Sequence, residues 1–275
     1  MTDRDAAREL ARLVGTVDWY HSLQLPYGIV TPGTFDTANE LRRIPFPTSL
    51  RGKRCLDVAT ANGFWAFEME RRGATEVIAI DLPPHRMDWP AGADARGADG
   101  QEVTGRRGFD IAHDALRSSV CWRNLSVYEL APDVAGEFDF VFVGSLLLHL
   151  RDPVAALTAI ARVLRGELLS VDAISLPLTL LHPRNPIVRF QARDWPLWWA
   201  PNLRAYRQIF GAAGLHIVAS GRPFFVKHGP GYTGGKGDEP TNSRPSLYRH
   251  PRQAAIARLG NLHAWVRART MPLGR

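Results

Sequence analysis

The chain has 275 residues, 45% of them apolar and 22% charged, a composition that excludes a wholly disordered chain, a collagen-like repeat and a disulfide-held miniprotein. Its formal net charge is +7, yet residues 222–275 carry 10 basic and 2 acidic side chains, which leaves 24 basic and 25 acidic for residues 1–221. A surface basic enough to seek nucleic acid is therefore confined to the tail.

The first residues, MTDRDAARELARL, are charged and helix-forming and lack the apolar core of a signal peptide. No stretch reaches the roughly 18 to 20 apolar residues of a membrane helix, so a cytoplasmic protein is expected. The segment WYHSLQLPYGIVTPGTFDT is rich in Pro and Gly and reads as extended chain, so residues 1–50 are expected to cap the carboxyl edge of a sheet. From residue 51, short apolar runs alternate with helical patterns. Strands are predicted at Arg54–Ala59, Val77–Leu82, Val120–Val127, Phe138–Val143, Glu167–Ala173 and His216–Ser220, with a further one at Phe224–Lys227. Helices are predicted at Gly63–Arg72, Phe109–Ser118, Pro153–Leu164 and Pro201–Ala213. Asp152, just before Pro153, reads as the N-cap of the third of these.

Strand and helix in repetition predict an α/β fold, Rossmann-like and doubly wound, with a mostly parallel sheet of seven strands over residues 51–228. The stretch Arg86–Arg107 is Gly/Ala/Asp-rich and longer than a compact connection needs, so it reads as an insertion. A second insertion, about 176–200, holds Arg189, Phe190, Arg193, Trp195, Trp198 and Trp199. Such side chains can stack a nucleobase, enclose a flat small molecule or complete a core. Cys55 and Cys121 lie in apolar runs and are expected to be buried free thiols. Residues 229–275 read as a linker followed by a helix over Pro251–Thr270, with Ile256, Leu259, Leu262, His263 and Val266 at three- and four-residue spacing and a solvated basic face.

The most informative stretch is CLDVATANGFWAFEMERRGATEVIAIDL, residues 55–82. A strand runs into Asp57, a turn of small residues follows (Ala59, Thr60, Ala61, Asn62, Gly63), and the next strand ends in Asp81. Small residues let the backbone approach a ligand, and an acid ending the second strand can accept both hydroxyls of a ribose. Alanine at positions 59 and 61 breaks the G-x-G-x-x-G pattern of pyrophosphate binding, so a nucleoside without phosphates fits better.

These residues resemble the class I S-adenosylmethionine-dependent methyltransferases, over about residues 17 to 227. The resemblance implies S-adenosylmethionine as cofactor. Asp57, Ala59, Ala61, Asn62 and Gly63 would pass under its methionine part, Asp81 would hold the ribose, and Leu82, Ser126 and Val127 would line the adenine. Gly144 and Ser145 would line the methyl end. The segments WYHSLQLPYGIVTPG, NLSVYEL, GEFDFVFVGSLLLHLRDPVAAL and WWAPNLRAYRQIFGAAG bring the chain near the group containing the tRNA wobble-uridine carboxymethyltransferase. It departs from that enzyme in having Leu148 before His149, and in having Ala38, Asn39 and Glu40 where a lysine and tryptophans hold the donor's extra carboxylate. A carboxylated donor would be buried beside no cation, so ordinary S-adenosylmethionine is expected.

A sulfonium methyl is already activated, so alignment of an acceptor and exclusion of water are the main requirements and no metal is needed. Tyr20, His21 and His149 are the candidate catalytic residues, each with a plain structural alternative: packing for the first two, backbone bonding at a strand-to-helix junction for His149. Three functions compete. They are a methyltransferase with a small-molecule acceptor, a tRNA or other RNA base methyltransferase, and a non-catalytic nucleoside- or partner-binding module. A small-molecule acceptor is the leading expectation and tRNA the runner-up.

Overall fold

The computed structural model describes residues 2–90, 105–192, 196–232 and 259–271. The first helix, α1 (Asp3–Val14), is closed at its start by a capping box between Thr2 and Asp5 and buries only Leu10 and Val14, as expected of a surface helix packed on one stripe. A short helix α2 (Thr37–Leu41) follows, with the Asp36 side chain accepting from the Asn39 N–H.

The central sheet is built from β1 (Arg54–Val58), β2 (Glu76–Asp81), β3 (Cys121–Asn124), β4 (Phe138–Gly144), β5 (Leu164–Ala173), β8 (Leu215–Ser220), β9 (Phe224–Val226) and β10 (Asn261–Thr270). Its order is β3-β2-β1-β4-β5-β10-β8, with β9 also paired to β10. The first five strands run parallel, and β10 is antiparallel to each of β5, β8 and β9. Helices α3 (Phe64–Arg71), α4 (Gly105–Leu116), α5 (Pro132–Ala135), α6 (Pro153–Val163) and α8 (Leu203–Ala212) connect them. α7 (Leu176–Leu181) and the small hairpin of β6 (Val188–Phe190) and β7 (Trp199–Pro201) form the second insertion.

Successive residues of β1, β2 and β4 enter different cores, which is why these strands read as unbroken apolar runs. Leu56, Val58, Ile78, Ile80, Val141 and Val143 pack with Leu157, Ile160, Tyr206 and Phe210 on one face. Cys55, Val77, Ala79, Phe140 and Phe142 pack on the other with Trp65, Phe67, Met69 and Phe109. α6 starts as predicted: Asp152 Oδ1 accepts from the Ala155 N–H at 2.8 Å, and Pro153 fills the first helical position.

Two sequence expectations fail. The C-terminal residues 261–270 are a sheet strand and not the second half of a helix; residues 251–258 lie outside the described residues. The three- and four-residue spacing that suggested a helix coexists with a two-residue alternation in which Ala264, Val266 and Ala268 are almost fully buried. A slot between β5 and β8 lets that alternation prevail, since the strand there buries one face and leaves Trp265, Arg267 and Arg269 on the other half-buried or exposed. The second failure is Cys121, which is exposed, while Cys55 is buried. Its strand is at the sheet's edge and only four residues long, shorter than the predicted Val120–Val127, because Ser126 caps a 3-10 turn that ends it.

The N-terminal segment forms a loop held by local bonds. Thr34 and Phe35 N–H groups donate to Trp19 and Tyr20 carbonyls at 2.8 and 3.1 Å, and Thr31 Oγ1 donates to the His21 carbonyl at 2.7 Å. At Gly33 the strands of this loop come so close that any Cβ would collide with the His21 and Ser22 backbone. Among the described residues no helix is long and apolar enough to cross a membrane.

Candidate active site

At the tip of β1, Asp57 is buried and its Oδ2 accepts from Thr60 Oγ1 at 2.6 Å and from the Ala66 N–H at 3.1 Å. Burial pushes its carboxyl up to about 7 against those donors. Its oxygen therefore shapes the turn and the start of α3 from beneath. The turn keeps a glycine-like path without glycine: φ is +60° at Ala59, +47° at Ala61 and +88° at Gly63. An alanine in the left-handed region costs about 1 kcal/mol. The turn's backbone is fixed by Ala59 and Thr60 N–H bonds to the Ile80 carbonyl.

Asp81 ends β2 beside this turn. Its Oδ2 accepts from the Ala61 N–H and its Oδ1 from the Leu82 N–H, both at 2.8 Å. Burial raises the carboxyl to about 6 in spite of those two donors, so it is mostly ionised at neutral pH. Each oxygen retains acceptor capacity beyond its one backbone bond.

Asn62 bonds to the N-terminal loop and to α4. Its Oδ1 accepts from the Tyr20 N–H at 2.6 Å and from the His21 N–H at 3.4 Å, and its Nδ2 donates to the Gly105 carbonyl at 3.3 Å. This one buried side chain ties the N-terminal loop and α4 to the turn after β1. The approach is close, since a Cβ on Gly105 would lie 2.6 Å from the Ala61 backbone. Ser126 is likewise occupied: its hydroxyl accepts from the Tyr128 N–H and its own N–H donates to Glu129. Val127 beside it is buried.

At the tip of β4, Gly144 and Ser145 face the N-terminal loop across a small cavity. Its walls include Tyr20, His21, Phe35, Thr37, Glu40, Trp65 and His263. Ser145 takes φ of +49° while its N–H donates to the Val171 carbonyl. His263 Nδ1 lies 2.9 Å from the Asn261 carbonyl and Nε2 lies 3.1 Å from Ser145 Oγ. A carbonyl can only accept, so Nδ1 carries the proton, and the neutral ring accepts from the Ser145 hydroxyl at Nε2. Burial holds His263 down at about 4 and His21 at about 3. His21 Nδ1 is buried with no hydrogen-bond partner among the described residues. Tyr20 keeps 37% of its surface open, yet its hydroxyl reaches Ser145 and is raised above its usual range, first by burial and then by Glu40.

Of the three candidate catalytic residues, the structure therefore brings Tyr20 and His21 together with Gly144 and Ser145. It places His149 elsewhere: in a 3-10 turn after β4, half-buried, with Nδ1 donating to the Pro196 carbonyl and its pKa lowered by desolvation. In the second insertion, Trp198 and Trp199 donate ring N–H bonds to the Asp88 and Leu150 carbonyls, and Arg189 and Phe190 are exposed. Arg193 and Trp195 lie outside the described residues, as does most of the Arg86–Arg107 stretch.

Compared with known families, residues 36–220 match a model described as a methyltransferase domain. The chain belongs to the class I S-adenosylmethionine-dependent methyltransferases. Among curated methyltransferases, a ubiquinone biosynthesis O-methyltransferase of Xanthomonas oryzae pv. oryzae is 33% identical over 116 residues, 42% of this chain and 40% of that protein. A tRNA U34 carboxymethyltransferase of Pseudomonas aeruginosa is 25% identical over 221 residues, 78% of this chain and 62% of that protein. The chain thus spans less than two thirds of either relative. Among solved structures, the N-terminal domain of EvdMO1, crystallised with SAH and D-fucose, superposes with a TM-score of 0.56 at 16% identity, covering 99% of this chain and 98% of that one. The [4+2]-cyclase SpnF superposes at 0.53 with 17% identity, covering 97% and 93%. A methyltransferase fold thus also serves a cyclase, so the reaction has to be argued from the site.

Sequence reasoning did not name Glu40, Asp172 or His263 for this candidate site. Asp172 ends β5, buried, and holds the turn after Ser145 by accepting from the Leu147 N–H at 2.7 Å. An acid ending a buried strand was the available signal. His263 was hidden by the helical reading of its segment, and Glu40 by the irregular look of the loop around it.

Proposed function

We propose that the chain is a methyltransferase that moves a methyl group from S-adenosylmethionine to an O, N or C atom of a small-molecule acceptor by in-line displacement. The observation that carries this reading is the pair of tips at β1 and β2. There, a tight small-residue turn with three positive-φ positions lies against a carboxylate whose two oxygens each keep room for one more donor. Two vicinal ribose hydroxyls are the donors such a carboxylate suits. The residues present therefore fit an adenosine-type group without phosphates.

In this reading Asp81 grips the sugar, Leu82 and Val127 flank the adenine, and the turn from Ala59 to Gly63 underlies the methionine part. Asp57 and Asn62 hold that turn in shape and do not touch the donor with their side chains. Gly144 and Ser145 line the methyl end. When bound, the donor supplies a methyl already activated by a positive sulfur. The chain's own work is then to exclude water and to present the acceptor atom along the bond that breaks. The small cavity at Tyr20, His21, Ser145 and His263 is where that presentation occurs, and His21 Nδ1, without a partner among the described residues, can accept a hydrogen bond from the acceptor there. His149 acts structurally. We take the chain to work in the cytoplasm, where free thiols such as Cys55 and Cys121 stay reduced.

The test is calorimetry of the full chain with S-adenosylmethionine and S-adenosylhomocysteine. Binding of both is expected, and binding of neither would leave a protein that kept only the fold. A second reading, an RNA base as acceptor, draws on the likeness over 221 residues to the tRNA enzyme. Against it, two of the tail's arginines are engaged within the sheet, where Arg267 and Arg269 reach Glu167 at 2.8 and 3.4 Å. Affinity for bulk tRNA that falls steeply with salt would favour the RNA reading over the small-molecule one.

A further inference from the structure

The cavity behind Ser145 holds a carboxyl group that nothing in the described structure answers. Glu40, on α2, is 8% exposed and lines this cavity. No described lysine, arginine or histidine forms an ion pair with it, and no described group donates a hydrogen bond to its carboxyl. Burial alone pushes that carboxyl up to about 8. A buried carboxylate without a partner is costly, and such groups persist where a ligand supplies the partner.

The rest of the lining points to the same kind of ligand. Phe35, Trp65 and Tyr20 contribute aromatic rings, whose faces attract cations. His21 Nδ1 is a buried nitrogen without a partner, and Ser145 Oγ, whose proton is directed to His263, presents lone pairs. The two imidazoles are kept neutral by burial, so neither competes as a cation. Three acceptors, carboxylate, ring nitrogen and hydroxyl, match the three N–H donors of an ammonium group. The space is small, about 10 Å³, which is about what one water molecule needs. It admits the tip of a molecule and not a ring.

We propose that this cavity receives a primary amine of the acceptor, that Glu40 is the residue that selects it, and that the transferred methyl goes to that nitrogen. The proposal rests on the methyltransferase reading above. The amine enters as an ammonium paired with Glu40 and gives one proton to the carboxylate, leaving a neutral amine and a carboxylic acid. The nitrogen lone pair then forms the new N–C bond. The C–S bond breaks with its electrons going to sulfur, so a methylammonium and a neutral thioether result. Glu40 afterwards returns its proton to solvent, and charge is conserved throughout.

The test uses the full chain saturated with S-adenosylhomocysteine at pH 8, titrated with n-butylamine and benzylamine and with the corresponding alcohols. The amines are expected to bind at least tenfold more tightly than the alcohols, and Glu40→Gln is expected to reduce that ratio to about one while S-adenosylhomocysteine affinity stays within twofold. Glu40→Asp, which keeps the charge, should retain part of the preference. Equal binding of amines and alcohols by the unaltered protein overturns the proposal without any variant having to fold, and so does a preference that survives in Glu40→Gln. A Glu40→Gln change that alters only the preference for S-adenosylmethionine over S-adenosylhomocysteine assigns the residue to the donor's sulfur and also overturns it. If the unaltered protein does not bind S-adenosylhomocysteine, the underlying methyltransferase reading has failed instead.

Discussion

The tips of β1 and β2 and the insertion after β5 are both loop regions, and they are built on opposite principles. Around the turn after β1, almost every polar group is already occupied: Asp57 by Thr60 and Ala66, Asn62 by Tyr20, His21 and Gly105, and the Ala61 N–H by Asp81. In the insertion, by contrast, Leu180, Leu181 and Phe190 are 69%, 73% and 60% exposed. What is preorganised in this molecule is the side proposed for the donor, where positioning is needed before any acceptor arrives.

That contrast can be broken or sharpened by measurement. The largest effect is expected from Asp81→Ala, which removes the two charge-assisted bonds proposed for the ribose. Donor affinity should fall by about 10- to 100-fold, corresponding to about 1 to 3 kcal/mol, and unchanged affinity in the folded variant would take Asp81 out of the site. Asn62→Ala strands the buried N–H groups of Tyr20 and His21, so a loss of about 1 to 3 kcal/mol in unfolding free energy is expected. Loosened N-terminal amides should appear in hydrogen exchange.

Acidity supplies the next test. Glu40, Asp57 and Asp172 have raised folded values of about 8, 7 and 7, so the fold retains their protons where the unfolded chain has lost them. Their contribution is present below the usual carboxylate range and is lost as pH rises through 7 to 8. His21 and His263, held at about 3 and 4, act in the other direction: the unfolded chain takes up their protons below about 6.5, so stability falls on the acid side. Three such carboxyls outweigh two such imidazoles, so the ligand-free protein should lose stability as pH rises from about 5 and melt lower at pH 8.5 than at pH 5. A melting temperature that rises steadily to pH 8.5 would contradict the burial of these carboxyls. The smallest effect belongs to the insertion, where Leu180→Ser should change stability by less than about 0.5 kcal/mol and leave donor affinity untouched. A large loss of donor affinity there would show that the two regions are coupled.

How much of this was legible beforehand differed by element. The parallel strands announced themselves, since Leu56, Val58, Ile78, Ile80, Val141 and Val143 are apolar on runs covered from both sides, and such runs have no other home in a chain of this size. The N-cap at Asp152 was readable for a local reason, the Asp-Pro pair. Asp81 and the turn before it could be placed by spacing alone, although spacing could not say that Ala59 and Ala61 would accept positive φ. The tail strand was not legible, because LHAWVRART satisfies two periods at once and only the slot beside β5 decides between them. Glu40 was visible as a letter but not as a buried charge, since its environment comes from residues far apart in the chain: Tyr20, Trp65, Ser145 and His263. The role of Asn62 was missed for a similar reason, as its partners at Tyr20 and Gly105 lie about 40 residues away on either side.

The position of β10 has a consequence for how the molecule comes into being. The last of the described strands sits inside the sheet, pairing β5 at one edge and β8 and β9 at the other, and it delivers His263 to Ser145. During synthesis from the N-terminus, β5 and β8 must wait with open backbone edges until residue 270 has emerged, so the nascent chain carries a gap through its middle. A ribosome halted before that point releases a protein with the parallel half of its sheet laid down and the strand that carries His263 to Ser145 still missing.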